Sequence, residues 1–370
     1  MSMGALDGYA DWPAFLAGAP VVSPQDPLRR ALAEVLGVRQ ASATDVRLER
    51  EWTADGVRGR ELTWWVGFGP RTRAFLLEPV AGDQASPLPG VLALHAHGGV
   101  RSTGAEQLVD TGLEPHPSAT RQRARIYGGR ALANDLARDG FAVLVPDAFS
   151  WASRAFDLSS PSPRLARLDA ALDALHRERG EVLSTDERFD ELSSLHEEVL
   201  AKAAGALGAT FAGAVATDDL AALDLLASLE GVDPERLGVV GFSGGGGRAL
   251  FAAALDERVS AAAIGGMMAT SASLIPDYLE THSWLLHSPG LATRFDLVDI
   301  AALGQQVLVQ FGERDELFPR AGMTDADAHL RRRLGARYRG TWHDAGHELT
   351  GEMQDEARAF LVQTLRAGRR

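Results

Sequence analysis

The feature that most constrains this chain is a series of short apolar runs separated by stretches of helical spacing. The runs are GVLALHAHGG at 90–99, FAVLVPD at 141–147, LGVVGF at 237–242, VSAAAIGG at 259–266 and QQVLVQFG at 305–312, and the more polar ARYRGTW at 336–342 continues the strand series. Each is too short for a buried helix, and the first is nearly without polar residues, as a strand buried on both faces must be. Between them lie GRALANDLARDG at 129–140, DDLAALDLLASLE at 218–230, RALFAAAL at 248–255 and a last helical stretch at 351–367. Thr217 is placed to cap the second of these and Gly231 to end it. Strands alternating with helices imply a parallel sheet covered on both sides, a doubly wound α/β fold.

The opening of the chain differs. DVRLEREW and ELTWWVGF flank the turn signal Ala54-Asp55-Gly56, and TRAFLLEPV follows at 72–80, so an antiparallel start is expected. Residues 1–43 read as an N-terminal helical arm, with one helix opened by Pro27 and stopped near Gly37, and residues 44–370 as the main domain. Two stretches exceed what the sheet needs. Residues 100–127 are a polar connection, and about 155–210 holds two further helices. The first carries Leu165, Leu168, Leu172 and Leu175, the second Leu192, Leu195 and Val199. A helical insertion at the carboxyl end of the sheet is expected to cap a site.

Composition removes several chemistries. The chain has no cysteine, which excludes disulfides, thiolate metal sites and a cysteine nucleophile, and Lys202 is its only lysine, which leaves little room for Schiff-base chemistry. A net charge of −13 argues against nucleic acid or an anionic membrane as the main partner. The first residues lack the basic and apolar regions of a signal peptide, and no apolar run approaches the ~18 residues of a membrane span. A cytoplasmic protein is expected. A homodimer is compatible with the sequence, with the arm as interface or as cover.

The chemistry centres on Gly241-Phe242-Ser243-Gly244-Gly245, a G-x-S-x-G between an expected strand and an expected helix. A serine there projects its hydroxyl above the sheet from a strained turn, and the Gly244 amide sits at a helix N-terminus where an oxyanion would form. A serine needs a base and a group that orients the base, and for this elbow they follow in the order acid, then histidine. Asp315, three residues beyond Gly312, is the candidate acid, with Glu313 and Glu316 as rivals. His347 is the candidate base, with His343 as its rival closer to the strand end. The second oxyanion donor is expected from His95-Ala96-His97-Gly98-Gly99, with the His97 amide first and Gly98 second.

Two other readings of these residues fail. His95 and His97, even with Asp147, lack the spacing of a metal site, so no metal or other cofactor is expected. Gly244 to Ala249 matches a dinucleotide fingerprint, but VSAAAIGGMM ends without the acidic residue that would hold a ribose.

With Ser243, Asp315 and His347 in order, and with LALHAHGG, GFAVLVPDAFS, VDPERLGVVGFSGGG, GERDELFP and AGHEL in sequence, residues 60–365 resemble the α/β-hydrolase family. The likeness is to its dienelactone-hydrolase-like and acetyl-esterase-like bacterial branch. It implies an eight-stranded, mostly parallel sheet, Ser243, Asp315 and His347 as a catalytic triad, and His97 and Gly244 at the oxyanion positions. The chain departs from many members at Ala96, where they have glycine. The activity implied is hydrolysis of a small or medium carboxylic ester, an expected small-molecule partner, through an acyl-enzyme. A peptidase, amidase or acyltransferase would use the same triad, and a binding protein of this fold would need none of it. Phe149 and Trp151 follow a strand on the side where the site opens and are expected to line the substrate pocket, with Phe156 and Trp284 as further aromatic candidates. Arg121, Arg123, Arg125 and Arg130 form a basic patch that either meets an anionic group or pairs with carboxylates.

Overall fold

Every apolar run named above becomes a strand of one sheet. In the computed structural model, which describes residues 6–80 and 86–366, the strands are β1 (Thr44–Ala54), β2 (Val57–Trp65), β3 (Thr72–Pro79), β4 (Leu88–Leu94), β5 (Ala142–Pro146), β6 (Val232–Phe242), β7 (Val259–Gly265), β8 (Gln306–Gly312) and β9 (Tyr338–His343). Their order is β1-β2-β3-β5-β4-β6-β7-β8-β9. Strands β1, β2, β3 and β5 pair antiparallel in turn, and all pairs from β5 to β9 are parallel. The sheet therefore has nine strands, one more than the resemblance implies, and the antiparallel opening supplies the surplus. Asp55 and Gly56, both with positive φ (48° and 76°), make the two-residue turn between β1 and β2 that matches the natural strand twist.

From β3 to β8 the sheet is largely buried on both faces, while β1 at the antiparallel edge stays mostly exposed, and successive β4 residues divide between the two faces. Leu92 and Leu94 join one apolar cluster with the Phe211–Ser228 and Gly244–Leu255 helices. Val91 and Ala93 join a second, with the Leu132–Arg138 and Gly351–Leu361 helices. Full burial of a leucine such as Leu92 stabilises by roughly 1.5–3 kcal/mol. From β4 the chain passes to β5 on one side and to β6 on the other. That reversal opens a crevice beyond the carboxyl ends of β4 and β6.

The arm is built into the main core. Tyr9 and Trp12 are fully buried, with ring centroids 4.6 and 5.1 Å from Phe149. The Pro27–Leu36 helix opens on Asp26 and ends on left-handed Gly37, and Arg29 donates to the carbonyls of Ala253 and Ala254 at the end of the Gly244–Leu255 helix. Residues 1–5 of the arm and residue 367 of the last helical stretch lie outside the described residues.

The insertion forms the two expected helices, with unequal burial. The Thr185–Ala206 helix starts on a reciprocal Ser184/Glu187 cap and buries Leu192, His196, Leu200 and Ala204. The Pro163–Arg179 helix buries only Leu165 of its expected apolar set and leaves Leu175 40% exposed. The next helix also departs from expectation. It begins at Phe211, where the Thr210 hydroxyl accepts from the Gly213 amide, so Thr217 is an interior residue whose hydroxyl bonds back to the Gly213 carbonyl. Among the described residues no single helix is long and apolar enough to cross a membrane.

Candidate active site

Ser243 follows the last residue of β6 and precedes the Gly244–Leu255 helix with φ 54° and ψ −123°, a conformation costly for a side chain other than glycine. The turn is held by the Ser243 amide donating to the Gly265 carbonyl at 2.9 Å and the Gly247 amide donating to the Ser243 carbonyl at 3.0 Å. Its glycines are steric necessities. A Cβ on Gly241 would lie 2.1 Å from the Gly245 carbonyl oxygen, and one on Gly245 would lie 2.1 Å from the Leu94 carbonyl oxygen. A Cβ on Gly244 would lie 2.8 Å from the His97 nitrogen, so the loop after β4 and the start of the helix meet backbone to backbone.

Asp315 lies in the loop after β8, and His347 in the loop after β9. The two loops are stitched together, because the Glu313 amide donates to the His343 carbonyl (2.8 Å) and the Arg314 amide to the Ala345 carbonyl (2.9 Å). Across this junction His347 Nδ1 meets Asp315 Oδ2 at 2.8 Å, while His347 Nε2 meets Ser243 Oγ at 2.7 Å. Asp315 Oδ1 accepts from the Leu317 amide at 2.9 Å, so both carboxylate oxygens are engaged. An aspartate facing Nδ1 puts the proton there and leaves Nε2 as an acceptor toward the serine hydroxyl.

The rivals are placed elsewhere. His343 ends β9, where its Nε2 lies 3.2 Å from Thr341 and 3.1 Å from Glu356. Glu313 pairs with Arg320 at 3.6 Å, and Glu316 stands at the rim. His95 is buried with Nδ1 against the Ala96 carbonyl, and Asp147 accepts from Arg73 and from the Ala105 amide.

The site opens into a cavity of about 830 Å³. Met267, Leu285, Leu286, Leu317 and Phe318 supply its apolar wall, and His97, Arg125, His282 and Arg314 its polar one. Burial pushes the imidazoles of His97 and His282 down to about 3 and about 4, so both are neutral near pH 7. His282 Nε2 donates to the Leu317 carbonyl at 2.9 Å, bracing the turn that carries Asp315.

Phe149 and Trp151 do not line this cavity. Phe149 is fully buried between Tyr9, Trp12 and Phe211. Trp151 stands behind His97, edge-on at 5.1 Å, with its indole N–H donating to the Val100 carbonyl. Phe156 is likewise buried, against His196. Trp284 is partly buried, and its neighbours Ser283 and Leu285 are the ones that reach the cavity. Of the four arginines, Arg130 pairs with Asp135 and Asp355, Arg123 ties together the carbonyls of Glu106, Gln107 and Val109, and Arg121 bonds Ser118. Arg125 reaches the cavity wall, where it bonds the Gly98 carbonyl.

The family model described as the dienelactone hydrolase family matches residues 126–359, well over half of the chain, including Ser243, Asp315 and His347. The chain belongs to the dienelactone hydrolase family. Membership makes it a carboxylic ester hydrolase with the α/β-hydrolase fold. This dienelactone hydrolase family member is 24% identical over 300 residues to a relative named as a hydrolase, YtaP of Bacillus subtilis (strain 168), covering 79% of this chain and 83% of that one. Its fold is shared with a glucuronoyl esterase from Solibacter usitatus (TM-score 0.55, 15% identity, 93% and 98% of the two chains). It is also shared with an acetyl xylan esterase from Paenibacillus sp. R4 (TM-score 0.52, 19% identity, 96% and 95%).

Proposed function

We propose that this family member hydrolyses a small or medium carboxylic ester through an acyl-enzyme on Ser243. The observation that carries the reading is the line Asp315–His347–Ser243, with contacts of 2.8 and 2.7 Å at the floor of a cavity large enough for a drug-sized ligand. His347 Nε2 takes the hydroxyl proton as Ser243 Oγ attacks the ester carbonyl, and Asp315 holds the tautomer and stabilises the imidazolium. The amides of Gly244 and His97 hold the oxyanion, a role supported by the close approach of their backbones. Loss of one such donor costs about 3–4 kcal/mol of barrier. The alcohol leaves with the proton returned by His347, and water activated by the same imidazole cleaves the acyl-enzyme.

The reading is tested with p-nitrophenyl acetate, butyrate and octanoate. Ser243→Ala should retain the melting temperature and lose turnover of all three. Turnover by Ser243→Ala at the wild-type rate would refute the assignment, and an acyl-enzyme that passes to an added alcohol faster than to water would make it an acyltransferase. The acetyl xylan and glucuronoyl esterases that share the fold make sugar esters the first natural substrates to try.

A further inference from the structure

The insertion is joined to the site by two buried carboxylates from one helix. On the Thr185–Ala206 helix, Asp190 and Glu197 lie seven residues apart, about two turns, and so on one face. Asp190 Oδ1 accepts from the amides of Arg101 (2.7 Å) and Ser102 (2.8 Å), and Oδ2 accepts from the Ser102 hydroxyl (2.9 Å). Glu197 Oε1 accepts from the Trp284 amide at 2.8 Å, and its Oε2 meets the fully buried guanidinium of Arg101 and lies 3.7 Å from His97 Nε2.

The same loop is fixed from its other side. The Arg101 guanidinium lies 4.0 Å over the Trp151 ring, and the Trp151 indole donates to the Val100 carbonyl at 2.7 Å. The Val100 amide closes back on the His97 carbonyl at 3.2 Å, and the Gly99 amide donates to His97 Nδ1 at 3.0 Å. Residues 97–102 are thus gripped between the insertion and the core at the place where His97 abuts Gly244. Glu197 also holds Trp284, whose neighbours Ser283 and Leu285 line the cavity.

We infer that Asp190 and Glu197 are positioning residues for ester hydrolysis, holding the 97–102 loop so that the His97 amide stays aimed at the oxyanion. The Thr185–Ala206 helix is on this account a fixed brace of the active site. The inference rests on the proposed roles of Ser243 and the His97 amide. Stability alone is a poor explanation for such a cluster, because apolar residues of similar volume often replace a buried ion pair without loss. What they would not replace is an acceptor that fixes two consecutive loop amides.

The test uses full-length Asp190→Ala, Asp190→Asn and Glu197→Gln, with Glu198→Gln as a charge control on an exposed neighbour. The readouts are kcat and KM for p-nitrophenyl acetate and the inhibition constant of an aryl trifluoromethyl ketone, which adds to a serine and presents an oxyanion. Asp190→Ala should lower kcat and ketone affinity together, each by roughly 10–100-fold, with KM little changed, since a small misplacement of an oxyanion donor has that scale of effect. Asp190→Asn should recover most of the loss, because one amide oxygen can serve both loop amides. Glu197→Gln should act in the same direction, and Glu198→Gln should do nothing. If Glu197→Gln leaves Arg101 uncompensated and fails to fold, the Asp190 pair decides.

An unchanged kcat in Asp190→Ala, or a kcat loss without weaker ketone binding, would overturn the inference. Hydrogen exchange at the Gly99 and Val100 amides, which do not bond Asp190, supplies a readout without catalysis. Exchange there should quicken in Asp190→Ala, and unchanged exchange would overturn the brace. If the wild type turned over no ester and reacted with no fluorophosphonate, the functional reading would have failed while this exchange result still judged the brace.

Discussion

Asp315→Asn isolates the orienting role of the carboxylate, because both of its oxygens have defined partners. Oδ1 accepts from the Leu317 amide at 2.9 Å and Oδ2 faces His347 Nδ1 at 2.8 Å. A carboxamide has one acceptor to serve two donors. With its oxygen toward Leu317, its NH2 faces Nδ1, which must then be a bare lone pair, so the imidazole proton moves to Nε2 and points at Ser243. The base has become a donor. With the amide flipped, Nδ1–H is satisfied but the half-buried Leu317 N–H is left against another donor, at a cost of about 1–3 kcal/mol. The productive orientation is then populated at roughly one part in 6 to one in 150, at 1.4 kcal/mol per decade. Even in it, no negative charge stabilises the imidazolium that forms. Together these effects should lower kcat by roughly 10³–10⁴-fold with KM little changed, the scale seen when such a triad loses its carboxylate charge. The assay is p-nitrophenyl acetate hydrolysis from pH 6 to 9 with the melting temperature measured alongside. Retention of a tenth or more of wild-type kcat in a folded Asp315→Asn would refute the argument.

Other consequences follow from the same structure. Gly245→Ala should be destabilised by about 1–3 kcal/mol or more, because its methyl would meet the Leu94 and His95 carbonyl oxygens at 2.1 and 2.8 Å, and chemical denaturation measures the shift. His343→Gln should keep kcat within about threefold, since His343 bonds Thr341 and Glu356 and not Ser243; a thousand-fold loss would restore it as the base. Burial holds His282 at about 4, below its unfolded value of 6.5, so the unfolded chain binds the extra proton first. Stability should therefore fall as pH drops from about 6.5 through 4, and His282→Gln should show a shallower fall in a pH series of melting temperatures. Arg154→Met would leave the buried Asp218 carboxylate without the guanidinium that now meets both its oxygens at 3.0 and 3.1 Å, and should cost about 3–5 kcal/mol in the same kind of measurement.

Much of this architecture could be read from local pattern. β4, β5, β7 and β8 are largely buried on both faces and so appear as nearly apolar runs, and the elbow at Ser243 announces itself because Gly241, Gly244 and Gly245 are each forced by backbone contact. The preference for His347 over His343 also rests on a local fact, that His343 lies close to the strand end whereas Gly346-His347 sits at the loop and helix start. Contacts between distant segments were not legible. Nothing near Phe149 shows that Tyr9 and Trp12, more than 130 residues earlier, would bury it away from the cavity. Asp190 and Glu197 look like any acidic residues of a solvated helix until the fold brings Arg101 and Trp284 to them. Thr217 has the right chemistry for a cap, but Thr210 has it too, and the burial of residues 211–216 settles the choice. His282 carries no motif, and only its contact with the Leu317 carbonyl reveals its place beside the acid turn.

Whether Ser243 is a nucleophile activated by His347 is decided by intact mass after brief exposure to a fluorophosphonate, followed by peptide mapping. One adduct is expected on Ser243 in the wild type, none in Ser243→Ala, and a much slower adduct in His347→Gln. An unlabelled wild type, or a label placed on another residue and retained by Ser243→Ala, would contradict that role for Ser243.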